Sequence, residues 1–106
     1  MTKQKVSSFG EYIRNLRKSA ELPLRKVAAK LDIDPSLLGK IERNARQPTR
    51  GVISGIAKIF NQSEKELLDE YLSDRIAYKI IEENADIAIL KVAEKKVYYL
   101  KNKQHG

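Results

Sequence analysis

The chain has no cysteine and no tryptophan, one histidine and one methionine. Without cysteine there is no disulfide framework, no thiol nucleophile and no cysteine-ligated zinc. That composition suits a reducing cytoplasm. His105 is the only histidine, and nothing beside it suggests a metal cluster, so neither metal nor cofactor is expected. Proline and glycine are scarce, at three and five residues. No segment alternates apolar and polar residues for long, and the chain therefore reads as all-α. No apolar run approaches the ~20 residues that span a bilayer. The opening residues, MTKQK, have no hydrophobic stretch behind them, so no secretory signal is expected. No glycine-rich phosphate loop occurs. The acidic pairs Asp32/Asp34 and Glu82/Glu83 read as a turn with its cap and as a helix end, with no nucleophile alongside. An enzyme is not expected.

What the chain does have is positive charge, unevenly placed. The net charge is +7 over 106 residues. Residues 1–62 carry 13 Lys and Arg against 5 Asp and Glu, a net of +8. Residues 63–106 carry 8 against 9, a net of −1. A basic field confined to one part of a chain is the footprint of a polyanion-binding module. The competing reading is a basic surface kept for solubility.

Apolar spacing and capping residues mark the helices. Ser8-Phe-Gly-Glu11 has the spacing of a capping box, and Phe9, Tyr12, Ile13, Leu16 and Ala20 follow on one face. Leu22-Pro23 ends that helix and starts a second, whose buried side is Val27, Ala28 and Leu31. Asp32-Ile33-Asp34 is a turn. Asp34 is placed to cap a third helix with Pro35 at its first position, and Leu38 and Ile41 face inward. Thr49 starts a fourth helix along Val52, Ile53, Ile56, Ala57 and Phe60. Ser63-Glu-Lys-Glu66 is a second capping box and opens a fifth, with Leu67, Leu68, Tyr71, Leu72, Ile76 and Ile80 at helical spacing. An apolar helix, a short acidic turn and a second helix over residues 24–44 make the layout of a helix-turn-helix.

A five-helix domain is complete by residue 72, which divides the chain into 1–72 and a helical extension, 73–106. Asn84 is read as the cap of a sixth helix in which Leu90, Ala93, Val97 and Leu100 form a packing seam. A break near 82–85 is favoured over one helix from 64 to 102. Residues 1–7 and 101–106 are expected to fray. Tyr71, Tyr78, Tyr98 and Tyr99 lie outside the basic part, so packing or a subunit interface is preferred over stacking on single-stranded bases.

Residues 8–72 resemble the Cro/C1-type, or XRE-like, helix-turn-helix family. The resemblance rests on Leu16-Arg17, Val27-Ala28, Leu31, Ile41-Glu42-Arg43, Pro48 and Ala57 taken in order. It implies a five-helix lambda-repressor-like fold, with no enzyme activity, acting as a homodimer on double-stranded DNA with a two-fold-related operator. The third helix would enter the major groove, where all four base pairs differ. Pro35, Ser36, Leu37, Gly39 and Lys40 would be its base-reading positions, with Lys40 the best candidate for guanine O6/N7. Arg25, Lys26, Arg43, Arg46 and Arg50 would meet phosphate. Arg17 and Glu42 would form an ion pair joining helices one and three; the alternative is two separate surface charges. The chain departs from the family pattern at Leu24 (commonly Gln), Asp32 (Gly), Pro35-Ser36 (often Gln-Ser/Thr) and Gly39 (often polar). The fold survives these changes, but the operator does not carry over.

A cytoplasmic transcriptional regulator is thus the leading expectation. A restriction–modification controller and a phage-type repressor are sub-cases. The alternative is an antitoxin-type module that neutralises a protein partner through residues 73–106 and autoregulates its promoter. Tyr71, Ile76, Ile80, Leu90, Val97 and Leu100 are the candidate dimer or partner interface, and no membrane association is expected.

Overall fold

The computed structural model describes residues 6–105. The expectations about residues 1–5 and Gly106 fall outside them. Six helices follow one another: α1 Phe9–Ser19, α2 Leu24–Leu31, α3 Pro35–Glu42, α4 Arg50–Ile59, α5 Glu64–Glu82 and α6 Ile89–His105. Among the described residues there is no strand. The chain divides between Asp74 and Arg75 into two compact units.

In the first unit side chains cap the starts of α1, α3, α4 and α5, while α2 begins after Pro23 with no side-chain cap. Ser8 and Glu11 complete a reciprocal capping box on α1. Asp34 accepts the Ser36 N–H at 2.8 Å ahead of α3. Thr49 Oγ1 accepts the Val52 N–H ahead of α4, and Ser63 Oγ the Glu66 N–H in α5. Each cap satisfies an amide that the helix itself leaves unpaired.

The core of this unit has two clusters. Phe9 and Ile13 of α1, Ile41 of α3, Val52, Ile53, Ile56 and Ala57 of α4, and Leu67 of α5 make the larger. Val27 and Ala28 of α2 with Leu38 of α3 make the smaller. Leu31, Ile33 and Phe60 pack against both. Fully burying one such aliphatic side chain is worth ~1.5–3 kcal/mol. These clusters therefore hold the short helices, which at eight residues for α2 and α3 would not form alone in water. Gly10 is required where α1 meets the end of α3. A Cβ there would strike the Glu42 carbonyl and come within 2.6 Å of the Ile41 carbonyl.

Tyr71 corrects an expectation. It is not presented on a free face: its ring meets Phe9 edge-on at 5.4 Å, and its hydroxyl donates to Gln47 Oε1 at 2.9 Å. An aromatic at that point on α5 is drawn into the larger cluster of its own unit.

The second unit holds the end of α5 and all of α6. Asn84 does not cap α6 as expected; it closes α5. Its φ is 52°, its N–H donates to the Ile81 carbonyl, and the Ala85 N–H donates to the Ile80 carbonyl. That paired closure needs a left-handed residue, and Asn adopts such geometry readily. Asp86 accepts the Ala88 N–H at 2.8 Å in the turn that leads into α6. α6 runs to His105. Residues 89–104 of α6 are all exposed, including Leu90, Val97 and Leu100. Ile76 is exposed and Ile80 half-buried. Among the described residues no helix is long and apolar enough to cross a membrane.

Candidate nucleic-acid interface

α3 has one buried side and one open side. Leu38, Gly39, Ile41 and Glu42 are buried. Ser36, Lys40 and Arg43 are exposed, and their spacing of four and three residues places them in one row along the helix. Pro35 is exposed at the first turn, while Leu37 is half-buried and packs against the larger core cluster. Leu37 is therefore partly committed to the fold.

Gly39 requires a correction. It was expected among the open positions, but it is buried. The Arg43 side chain lies over it: a Cβ on Gly39 would sit 3.2 Å from Arg43 Nη1 and 3.7 Å from Leu24 Cδ2. A side chain at this position would require the Arg43 guanidinium to shift slightly. Leu24, where the related pattern commonly has Gln, packs against the smaller core cluster.

Two sets of contacts fix the angle of α3. Arg17 Nε donates to Glu42 Oε2 at 2.8 Å and Arg17 Nη2 to Glu42 Oε1 at 2.9 Å. Arg17 Nη1 also donates to the Leu22 carbonyl at 3.1 Å. The Glu42 hydrogen bond holds the Arg17 guanidinium pKa above its ordinary value, against the opposing effect of burial. Asn44 makes the second set, which the sequence reading missed. Its Oδ1 accepts the Gly10 N–H at 3.0 Å and its Nδ2 donates to Ser8 Oγ at 2.9 Å. The end of α3 is thereby tied to the start of α1. A lone Asn after a helix gives no sequence signal of a partner 34 residues away.

The open row is surrounded by cations. Arg25 and Lys26 lie at the start of α2, Arg46 in the loop after α3, and Arg50 at the first position of α4; all are exposed. Among the described residues none of them, nor Lys40 or Arg43, has a carboxylate within 4.0 Å. The acid facing this region is Asp34. Its Oδ1 accepts both the Ser36 N–H and the Ser36 hydroxyl, at 2.8 and 2.9 Å. Those two bonds, the backbone one first, hold the Asp34 carboxyl below its ordinary value, so it stays ionised near neutrality. Among the described residues no group of three or more His, Asp or Glu side chains is placed to hold a metal ion.

This is an open row on a short helix, second in a helix-turn-helix and ringed by unpaired cations: the arrangement of a DNA-binding regulator. Residues 13–67, more than half of the chain, match the family model described as helix-turn-helix. The chain belongs to the Cro/C1-type, XRE-like helix-turn-helix family of DNA-binding transcriptional regulators, which is not a family of enzymes. Among solved structures, a chain of the SinR protein/SinI protein complex is similar in fold. Its TM-score is 0.54 at 21% identity, over 92% of this chain and 99% of that one. No curated protein matches the chain.

Proposed function

We propose that the protein is a sequence-specific transcriptional regulator. It binds duplex DNA as a homodimer and lays α3 in the major groove of each half of a two-fold-related operator. The observation that carries this reading is the exposed Ser36–Lys40–Arg43 row on a helix whose opposite side is locked to α1. An eight-residue helix so held presents a few side chains at a fixed angle, as base reading requires. Arg25, Lys26, Arg46 and Arg50 supply phosphate contacts, which position the helix without reading sequence. The burial of Gly39 speaks against a base contact at that position.

Dimerisation belongs to the second unit. Ile76, Leu90, Val97 and Leu100 are 41–53% exposed, and a second copy would cover them. Covering half of a Leu or Val side chain gains ~1 kcal/mol. Controllers of restriction–modification genes and phage-type repressors are both small regulators with a single such motif, and the operator decides which genes this chain governs.

The test is enrichment of random duplex DNA by the purified protein, followed by the salt dependence of the best binder. A two-fold-related consensus with a steep salt slope supports the proposal. Weak binding indifferent to sequence overturns it.

A second reading has its own support. The exposed apolar side chains of α6 also suit a different protein partner, and the SinR/SinI neighbour is itself a complex of two proteins. An antitoxin-type module would use residues 73–106 in this way. Sedimentation of the pure protein separates the two, because a stable homodimer leaves that surface covered by its twin.

A further inference from the structure

We infer that Asp34 is a specificity-determining residue, whose free carboxylate oxygen selects a base carrying an exocyclic amine in the major groove. The inference rests on α3 being the reading helix. Asp34 was assigned above only as a cap, and a cap needs one oxygen. Both hydrogen bonds from Ser36 go to Oδ1. Oδ2 accepts none among the described residues, and the side chain lies at the open leading edge of α3.

The same bonds settle what Ser36 offers. Its hydroxyl proton is directed to Asp34 Oδ1. What remains outward is a pair of oxygens that accept and do not donate. One turn further along the same row, Lys40 and Arg43 donate and do not accept. The row therefore has polarity, with acceptors at its start and donors beyond.

Base edges answer that pattern in one way. Only cytosine N4 and adenine N6 donate in the major groove, whereas guanine O6/N7 and thymine O4 accept. A carboxylate facing guanine or thymine is repelled; facing cytosine it gains a charge-assisted bond. The six residues from Asp34 to Lys40 advance along the helix by roughly 9 Å, about two to three base steps at ~3.4 Å per step. The half-site then carries cytosine or adenine opposite Asp34, and guanine about two to three steps away opposite Lys40.

A charged cap also has a cost that a neutral one avoids. Ser8, Thr49 and Ser63 cap α1, α4 and α5 with neutral hydroxyls. Asn and Ser cap as well as Asp does. A carboxylate kept at the DNA-facing helix is accounted for by what it accepts.

The experiment is the same enrichment from random duplex DNA, run with full-length wild type, Asp34→Asn, Asp34→Ser and Lys40→Ala. Both Asp34 variants keep a capping side chain, and a cooperative melt well above the assay temperature verifies that they fold. The expected result is a wild-type preference for cytosine or adenine at one half-site position, about fivefold or more over guanine and thymine. Asp34→Ser relaxes that position alone, and Asp34→Asn moves it toward adenine, which Asn pairs with on two atoms. Lys40→Ala relaxes a different position. If the Asp34 variants keep the wild-type consensus and only bind all sequences more tightly, Asp34 is merely a cap and the inference falls, while Lys40→Ala still reports on the reading helix. If wild type yields no consensus, both the inference and the proposed function fall.

Discussion

Arg17 and Glu42, 25 residues apart in sequence, meet in a two-point ion pair that joins α1 to α3. Their side chains are 14% and 5% exposed, so neither charge has water to fall back on. Removing one partner leaves the other buried and uncompensated, which costs ~3–5 kcal/mol. Arg17→Ala should lower the melting temperature by ~10 °C or more. A melt indistinguishable from wild type would show that the pair is not needed to hold α3.

The ends of α1 to α5 are each followed by a left-handed residue that is not glycine: Glu21, Asp32, Asn44, Asn61 and Asn84. Asn and Asp adopt that geometry more readily than glutamate does. Glu21, with φ at 56°, is exposed. Glu21→Gly should raise stability by ~0.5–1 kcal/mol, the relief of the backbone offset by glycine's greater chain entropy. A higher urea midpoint at unchanged slope is the expected readout.

Asp34 should leave a mark on acid stability. Its carboxyl is held below the ordinary 3.8 by the two Ser36 bonds. A carboxylate depressed in the folded state adds stability above its unfolded value. That increment is lost as pH falls through the lower folded value. Wild type and Asp34→Asn should then differ by a constant amount near neutrality, and the difference should shrink below about pH 4. A gap in melting temperature that ignores pH would mean the charge adds nothing to the cap.

Arg46 is exposed in the loop after α3 and has no ion-pair partner among the described residues. If it meets phosphate, Arg46→Ala should weaken binding to all sequences alike. The slope of log affinity against log salt should fall by about one. A changed consensus with an unchanged slope would instead place Arg46 against a base.

Leu90 and Val97 are 41% and 50% exposed on α6, one face apart by seven residues. Charges there should oppose self-association. Leu90→Asp with Val97→Asp should sediment as a monomer and lose operator affinity, while the melting of the first unit is unchanged. A variant that remains dimeric and binds normally would move the dimer contact elsewhere.

Much of this protein is written locally. Ser8 with Glu11, Asp34 with Pro35, Thr49 and Ser63 each announce a helix start within four residues, because a cap acts on the amides just beyond it. The apolar spacing that follows each cap names the buried face in the same way. The charge excess of residues 1–62 and the ordered family pattern then supply the class of function. Asn84 misled for a local reason: Asn serves both to begin a helix and, in left-handed geometry, to end one, and only the bonds of Ala85 and Ala88 separate the two.

What the tertiary structure alone decided is which side chains of α3 remain outward. Gly39 is spaced like a reading position, yet the packing of Leu24 and Arg43 covers it. Arg43, three residues on from Lys40, joins the row instead. Tyr71 passes into the core because Phe9 and Gln47 lie beside it, and the clasp of Asn44 on Ser8 and Gly10 exists only once α1 and α3 meet. Helices follow from neighbours in sequence; the orientation of a reading surface follows from residues brought together across the core.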